Sequence, residues 1–180
     1  MRLIGGKYRS RLLRVPARPG LRPTPDRVRE TLFNWLGQDL TGLDCLDLYA
    51  GSGALGFEAA SRGAARVVLV DNDKTALAEL ERSRQALDAK QVVIVRGEAA
   101  AFLAREAGRF DVVFLDPPFR QNAVPEILDS VAKRLKPDAR VYVESEAAIE
   151  PETPWTELRR ARAGQVSYQL FRWDGSEEGP

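Results

Sequence analysis

Two short stretches of this sequence combine acidic side chains with residues that form tight turns. The first, DLYAGSGALG, runs from Asp47 to Gly56 and places a carboxylate just before a loop of the GxGxxG type. Glycines in such a loop let the backbone approach a ligand closely. Asp71 follows about twenty residues later, where a carboxylate can hold the two ribose hydroxyls of an adenosine. On this evidence the loop fits NAD and S-adenosylmethionine equally well.

Asp47 favours S-adenosylmethionine over NAD. A carboxylate beside the loop repels a pyrophosphate, whereas it attracts the ammonium group of a methionine moiety. A glycine turn that serves only packing is the alternative interpretation of this stretch.

The second stretch, DPPF at residues 116–119, directly follows an apolar run. Two consecutive prolines fix an extended turn, which would point the Asp116 carboxylate and the Pro117 carbonyl in the same direction. Two acceptors suit an exocyclic amino group, whose hydrogens both need partners, and Phe119 offers a ring on which a base can stack. The stretch predicts chemistry on the amino group of a base, the alternative being a rigid loop with a capping aspartate.

A regular alternation of strands and helices must position these stretches, and it predicts an α/β fold with a mostly parallel, doubly wound sheet of seven strands. Asp47, Asp71 and Asp116 lie at or near predicted strand ends, and ligands bind at the carboxyl ends of strands in such sheets. A terminal antiparallel hairpin around Gly164 is the usual ending of the methyltransferase version of this sheet. The predicted helices are 26–36, 54–62, 74–87, 99–106 and 124–135, and the predicted strands are 45–49, 67–70, 92–95, 112–115, 141–143, 158–161 and 166–172.

The N-terminal region is strongly basic, although the whole chain has a net charge of only +1. Residues 1–30 contain nine basic and two acidic side chains, which indicates a polyanionic partner unless the segment is simply a solvated surface. We expect a small hairpin around Gly5 and Gly6, and a helix capped by Asp26. Arg27 and Arg29 on that helix are interpreted either as RNA contacts or as helix-surface charges.

Composition bounds the remaining possibilities. The chain has 180 residues, no histidine and a single cysteine, Cys45, which excludes a disulfide within the chain, Ser-His-Asp catalysis and nearly every zinc hydrolase site. We expect no metal, no signal peptide and no membrane span, and therefore a cytoplasmic protein. The expected organisation is a basic N-terminal hairpin or arm (1–24), a catalytic domain (25–173) and a tail (174–180).

Together these motifs resemble a known group of enzymes. The pairing of DLYAGSGALG with DPPF resembles the amino-methyltransferases that modify exocyclic nitrogens of nucleic acid bases. The stretch GLRPTPDRVRETLFNWL at residues 20–36 resembles the N-terminal signature of the ribosomal small-subunit methyltransferase D family, and RLIGG at 2–6, VESE at 143–146 and AGQV at 163–166 also fit. The resemblance implies methylation of N2 of a specific guanine in 16S rRNA, of the guanine-966 type. The resemblance covers essentially residues 1–173.

The resemblance implies a Rossmann-like class I S-adenosylmethionine-dependent methyltransferase that acts on 16S rRNA. We also expect a monomer and, because a chain of this size has limited surface for reading RNA sequence, a small-subunit assembly intermediate as the substrate. It assigns catalysis to Asp116, Pro117 and Phe119. Glu98 and Asp71 depart from the family pattern, which usually has asparagine or aspartate at the first position and often glutamate at the second. The cofactor residues that it implies are Asp47, Ala50, Gly51, Ser52, Gly53, Asp71, Asn72, Glu98 and Ala99. The charge of the basic arm makes Lys7, Arg9 and Arg11 the expected RNA-phosphate contacts, and the resemblance adds Arg22 and Thr24 as RNA-binding residues.

Three alternatives stay open at this point. An amino-methyltransferase could act instead on adenine N6, cytosine N4 or a protein glutamine, because the DPPF loop does not choose among amino groups. An NAD-dependent oxidoreductase is disfavoured by Asp47, by the missing histidine base and by the DPPF loop. A catalytically inactive RNA-binding module is disfavoured because Asp47, Asp71 and Asp116 are all present.

Overall fold

A computed structural model describes residues 1–15, 24–117 and 123–175 of the chain. Five helices and seven strands lie in these ranges and alternate along most of the chain, as the sequence predicts. The helices are α1 (Asp26–Leu36), α2 (Ala54–Ser61), α3 (Lys74–Leu87), α4 (Ala99–Arg105) and α5 (Ala123–Ala132). The strands are β1 (Asp44–Asp47), β2 (Arg66–Asp71), β3 (Val92–Arg96), β4 (Phe110–Leu115), β5 (Leu135–Ser145), β6 (Trp155–Ala163) and β7 (Val166–Trp173).

The strands form one sheet in the order β3-β2-β1-β4-β5-β7-β6. Strands β1 to β5 pair in parallel, whereas β7 runs antiparallel to both β5 and β6. The chain builds outward from β1 to β3 and then crosses back to β4, so the direction of winding reverses between β1 and β4. The crevice at the carboxyl ends of these two strands is where ligands bind in open α/β sheets. The predicted fold class, including the antiparallel ending, is confirmed.

The two faces of the sheet carry separate apolar cores. Cys45, Phe114 and Tyr142, on β1, β4 and β5, belong to a core that also contains buried side chains of α1, α2 and α3. Their strand neighbours Leu46 and Val113 belong to a second core with α4 and α5. This alternation follows from the two-residue period of a strand, and it determines which face each following residue occupies.

The N-terminal segment forms the predicted small hairpin and packs onto the first of these cores. Arg2 and Leu12 form an antiparallel bridge, and the Leu3 amide donates to the Arg11 carbonyl at 2.9 Å. Leu3 and Leu13 are buried in the same core as α1 and α2. The hairpin is therefore anchored to the domain by apolar side chains, while its basic side chains remain at the surface.

Two local predictions are wrong. Pro25, not Asp26, occupies the N-cap of α1, and the Asp26 carboxylate instead accepts a hydrogen bond from the Arg29 guanidinium at 2.6 Å. The last predicted helix was expected to reach Leu135, but that residue begins β5 because it pairs with Phe110 of β4. Sheet pairing therefore overrides the local helical pattern at this boundary.

Candidate active site

Three carboxylates meet at the carboxyl ends of β1, β4 and β5. Asp47 ends β1, Asp116 directly follows β4, and Glu144 lies one residue from the end of β5. Each comes two residues after a side chain of the core that contains α1 and α2, so strand alternation directs all three to that face. The pairing of Leu115 with Val143 places Asp116 and Glu144 side by side at the edge of the sheet.

The glycine loop between β1 and α2 has a backbone that only glycine readily adopts. Gly51 and Gly53 have φ angles of 53° and 77°, and a Cβ on Gly53 would come within 2.5 Å of a Phe57 ring carbon. The Gly51 amide donates to the Asp71 carboxylate at 2.8 Å, which ties the loop to the end of β2. Ala50, Gly51, Ser52 and Gly53 are all buried. The loop is thus held in place by its own backbone geometry and by its bond to Asp71.

Asp47 lies beneath this loop and is only 2% exposed. One carboxylate oxygen accepts a hydrogen bond from the Gly56 amide near the start of α2 at 3.1 Å. Burial raises the pKa of Asp47 to about 7; the Gly56 bond opposes this shift and the nearby charge of Asp71 adds to it. A buried carboxylate in this condition is stabilised by a cation, which is what the ammonium of a methionine moiety would supply.

The remaining predicted cofactor residues lie along the ends of β2 and β3. The Asp71 carboxylate also accepts a hydrogen bond from the Asp73 amide at 2.8 Å. The Asn72 side-chain amide donates to the Glu98 carboxylate at 2.6 Å, so these two exposed residues are brought together. Ala99 is buried at the start of α4. The cofactor residues implied by the resemblance therefore lie on neighbouring loops.

Tyr49, which we had not predicted as a site residue, lies at the same end of the sheet. Its side chain is half-buried. Burial and the negative charge of Glu98 both raise the pKa of its hydroxyl. The position of Tyr49 within DLYAGSG was the signal that could have identified it.

Asp116 and Pro117 lie next to this cofactor region. Pro117 is buried and Asp116 is half-buried. Loss of solvent around the Asp116 carboxyl, together with the negative charges of Glu144 and Asp47, raises its pKa well above the ordinary aspartate value. A carboxyl that is desolvated among other carboxyls at a strand end is typical of a functional site. Phe119, the third predicted catalytic residue, lies outside the described residues.

Glu144 is a buried member of this cluster that we had not predicted as a functional residue. Its Oε1 accepts hydrogen bonds from the Tyr142 hydroxyl at 2.8 Å and from the Thr24 hydroxyl at 3.3 Å. Burial raises the pKa of Glu144, and the two hydroxyl donors oppose that shift. The available signal was an acidic residue inside the apolar run VYVES, which is uncommon for a buried strand.

The predicted RNA-binding residues fall into two groups. Lys7, Arg9 and Arg11 are exposed on the N-terminal hairpin, and the Arg11 guanidinium donates to the Ala86 carbonyl at the end of α3. Thr24 is buried and reaches the active site through Glu144. Arg22 lies outside the described residues.

Arg29 is neither an RNA contact nor a helix-surface charge. Its side chain is fully buried and donates hydrogen bonds to the Arg2 carbonyl and to Asp26. Its second terminal nitrogen lies 3.6 Å from the buried carboxylate of Glu58. A buried guanidinium needs such partners, so the residue holds the hairpin rather than a ligand.

Two further findings concern metal binding and membrane spans in the described residues. No group of three histidine, cysteine, aspartate or glutamate side chains in residues 1–15, 24–117 and 123–175 is arranged to hold a metal ion. None of the helices in those ranges is long and apolar enough to cross a membrane.

Comparison with known proteins places this geometry in a family. The family described as "conserved hypothetical protein 95" matches residues 1–172. The chain belongs to this family. It is 43% identical to the ribosomal RNA small subunit methyltransferase D of Escherichia coli over 99% of its own length and 92% of the relative, and 42% identical to the protein of that name from Haemophilus influenzae, over 96% and 93%.

Solved structures support the same family assignment. The structure titled "Putative methyltransferase yhhF from Escherichia coli" superimposes with a TM-score of 0.89 at 42% identity, covering 98% of this chain and 99% of the other. The family member described here thus has the sheet and the antiparallel ending of the class I methyltransferases.

Proposed function

We propose that this family member is an S-adenosylmethionine-dependent methyltransferase that modifies the exocyclic N2 of one guanine in 16S rRNA. The observation that carries the proposal is the placement of the buried Asp47, beneath a fixed glycine loop, on the same face of the sheet as Asp116 and Pro117. Asp47 suits a methionine ammonium, whereas Asp116 and Pro117 suit the amino group of a base. The relatives named as ribosomal RNA small subunit methyltransferases support rRNA as the substrate.

The residues present fit S-adenosylmethionine at both ends of the molecule. The desolvated Asp47 carboxylate would bind the ammonium, and Asp71 would hold the ribose hydroxyls while it continues to tie down the loop. Asn72, Glu98 and Ala99 would line the adenine. Ser52, like Ala50, would close the methionine end. When bound, this cofactor supplies a methyl group on a positively charged sulfur, which is already strongly electrophilic.

The protein's contribution to the reaction is to orient the nucleophile. Asp116 and the Pro117 carbonyl accept the two hydrogens of the guanine amino group, which directs the nitrogen lone pair toward the methyl group. Positive charge that develops on N2 is stabilised by the Asp116 carboxylate, to which we assign the proton that N2 releases. Phe119 would stack on the flipped-out base. Such positioning can lower a barrier by about 7–11 kcal/mol in the best cases.

The basic hairpin would bind the RNA backbone. Lys7, Arg9 and Arg11 form an exposed positive surface, and Arg22 would add to it. Thr24 would act nearer the active site, where its hydroxyl donates to Glu144. A chain of 180 residues offers little surface for reading RNA sequence. We therefore propose that its substrate is a small-subunit assembly intermediate, whose folded RNA presents the guanine, and that the enzyme acts as a monomer.

Ligand-dependent thermal unfolding tests the cofactor assignment against the oxidoreductase alternative. S-adenosylhomocysteine should raise Tm in a concentration-dependent way, since it binds only the folded state, whereas NAD should leave Tm unchanged. Stabilisation by NAD and not by S-adenosylhomocysteine would overturn the proposal. Asp47→Asn is the matched variant, and it should weaken the response to S-adenosylhomocysteine.

A further inference from the structure

Glu144 lies beside the acceptors that we assign to the guanine amino group. Strands β4 and β5 pair in parallel with Leu115 opposite Val143, so Asp116 and Glu144 are the next residues on the two neighbouring strands. Parallel strands are about 4.8 Å apart, which puts a second acidic side chain within one base edge of the first. A base whose amino group reaches Asp116 can therefore place a neighbouring ring atom on the Glu144 side of the site.

The Glu144 side chain is held in one orientation by two hydroxyl groups. The Tyr142 and Thr24 hydroxyls both donate to Oε1, and the glutamate is 6% exposed. Within residues 1–15, 24–117 and 123–175, no hydrogen bond reaches Oε2. The two hydroxyl donors favour the ionised form of Glu144 and oppose the larger effect of burial, which raises its pKa. In the ionised form both carboxylate oxygens act only as acceptors, so Oε2 can accept a hydrogen bond from a ligand.

Tyr142 is itself suited to this supporting role. Burial and the charge of Glu144 raise the pKa of its hydroxyl well above the usual value, so it remains a donor at neutral pH. Its ring packs against Tyr168, which in turn stacks on Trp35 of α1 with ring centroids 5.3 Å apart. The acceptor is thus supported by a rigid aromatic row rather than by a mobile loop.

We propose that Glu144 accepts the N1–H of the target guanine while Asp116 and Pro117 accept the two N2 hydrogens, and that Glu144 thereby selects guanine. This inference rests on the proposed function and adds to it the group that recognises the base. It makes Glu144 a specificity-determining residue that touches the substrate.

The chemistry of the amino-bearing bases explains why an acceptor here is selective. In guanine the ring nitrogen next to the amino group carries a hydrogen. In adenine and cytosine the corresponding ring nitrogen carries a lone pair, and in a glutamine amide the neighbouring atom is a carbonyl oxygen. A fixed carboxylate attracts the N1–H of guanine. It repels the ring lone pairs of adenine and cytosine and the carbonyl oxygen of glutamine. Leaving such a buried group unpaired is costly, so the discrimination is large.

A guanine analogue tests this assignment without altering the protein. 2-Aminopurine keeps the 2-amino group but has a lone pair on N1. Small subunits lacking the modification are reconstituted with 16S rRNA that carries either guanine or 2-aminopurine at the target position. For the wild-type enzyme we expect kcat/KM to fall roughly 10- to 100-fold on the analogue. Equal rates on the two substrates would overturn the role of Glu144.

The variant E144Q separates recognition from support of the fold. Glutamine keeps the size of the side chain but can donate its amide hydrogen to a lone pair. The kcat/KM on guanine should therefore fall roughly 10- to 100-fold. The ratio of kcat/KM on guanine to that on 2-aminopurine should decrease at least about tenfold. A purely structural role would lower activity on both substrates by the same factor, and that result would also overturn the inference. The affinity for S-adenosylhomocysteine reports whether E144Q is folded.

The matched control is E146Q, which changes an exposed glutamate just beyond the same strand. E146Q should leave the rates on guanine and on 2-aminopurine, and the ratio between them, unchanged. A loss of discrimination in E146Q equal to that in E144Q would contradict the role of Glu144. Failure of the proposed function gives a different result, namely no methylation of guanine N2 by the wild-type enzyme. Wild-type methylation of guanine with unchanged discrimination in E144Q overturns only the role of Glu144.

Discussion

At the scale of single residues, the candidate site contains three desolvated carboxyl groups. Asp47, Asp116 and Glu144 are directed to one face of the sheet, and burial raises the pKa of each above its ordinary value. A cationic ligand or a base with several donors relieves this unfavourable burial, so binding and catalysis draw on the same feature.

Replacing Asp116 with alanine should abolish methyl transfer while leaving the cofactor affinity nearly intact. In the proposed mechanism the carboxylate contacts the amino group of the base and not the cofactor, so only the transition state should lose an interaction. Single-turnover kinetics and calorimetric titration with S-adenosylhomocysteine measure the two properties separately. A parallel loss of both would show that Asp116 supports the cofactor site instead.

Binding of S-adenosylhomocysteine should weaken as the pH falls below about 7. The pKa of Asp47 is about 7 in the free protein, and the ligand ammonium pairs only with the ionised carboxylate. Below that pH a proton must leave on binding, which costs about tenfold in affinity per pH unit. Titrations between pH 5 and 8 in Asp47→Asn should show weaker binding without this slope; a wild-type affinity that does not change over that range would refute the role of Asp47.

The raised pKa of Asp47 also makes the free energy of unfolding depend on pH. Because the folded-state pKa of Asp47 lies above its unfolded value, the folded protein binds more protons, and the free energy of unfolding contributed by this group declines as the pH rises from about 4 to about 7. S-adenosylhomocysteine should remove this decline, since its ammonium stabilises the ionised carboxylate. Unfolding by urea across that pH range, with and without the ligand, measures both effects, and a decline of equal size with the ligand bound would contradict them.

At the scale of elements, the N-terminal hairpin is joined to the helix that follows the glycine loop. The Glu58 carboxylate on α2 accepts hydrogen bonds from the Ile4 and Gly5 amides at 2.9 and 2.8 Å and pairs with Arg62 at 2.9 Å. Arg29 of α1 approaches the same carboxylate. One buried acidic group thus fastens the N-terminal hairpin to the helix that follows the glycine loop.

Removing this group should therefore destabilise the protein strongly. Glu58→Ala leaves Arg29 and Arg62 buried without their partner, a change that costs about 3–5 kcal/mol in comparable cases. Chemical denaturation measures the loss. The control is Glu81→Ala, which breaks an ion pair with Arg84 on the surface of α3 and should have little effect because solvent screens that pair. Similar losses in the two variants would contradict the central role of Glu58.

The elements also show what the sequence could and could not predict. The strand ends carrying Asp47, Asp71 and Asp116 were predictable, because each follows or ends a short apolar run whose order implies a parallel sheet. The role of Glu144 was not, since its hydroxyl partner Thr24 is 120 residues away and its neighbour Asp116 lies on another strand. Contacts of this kind depend on the sheet order, which local patterns do not specify.

Arg29 illustrates the same limit for charged residues. In sequence it is one of nine basic residues in a positive segment, and nothing local distinguishes it from Arg27. Only the packing of the hairpin against α1 and α2 buries it, because the Arg2 carbonyl and Glu58 come from those neighbours. Charge counts therefore overestimate the RNA-binding surface by at least this residue.

At the scale of the whole molecule, the positive charge is concentrated on one side of a nearly neutral protein. Lys7, Arg9 and Arg11 lie on the hairpin, which packs on the face of the sheet that also carries the three carboxylates and contacts the carboxyl ends of α2 and α3. Exposed positive charge of this kind attracts a polyanion. Binding should therefore weaken steeply with salt, as expected when phosphate contacts release counterions.

Neutralising one hairpin charge should reduce RNA affinity and its salt dependence together. Arg9→Ala is expected to lower the slope of log K against log salt concentration by about 1 if the side chain contacts a phosphate. Arg105→Ala, which removes an exposed arginine at the end of α4 on the opposite face, is the matched control and should leave the slope unchanged. Equal effects in the two variants would argue against the hairpin as the RNA contact.

The most direct test of the central claim is transfer of a tritiated methyl group from S-adenosylmethionine to small ribosomal subunits that lack the modification, followed by nucleoside digestion and mass spectrometry. The account predicts one N2-methylguanine in 16S rRNA with the wild-type enzyme and none with Asp116→Ala. Methylation of a different amino group, or no incorporation although S-adenosylhomocysteine binds, would contradict guanine N2 as the target while leaving the fold and the cofactor site unaffected.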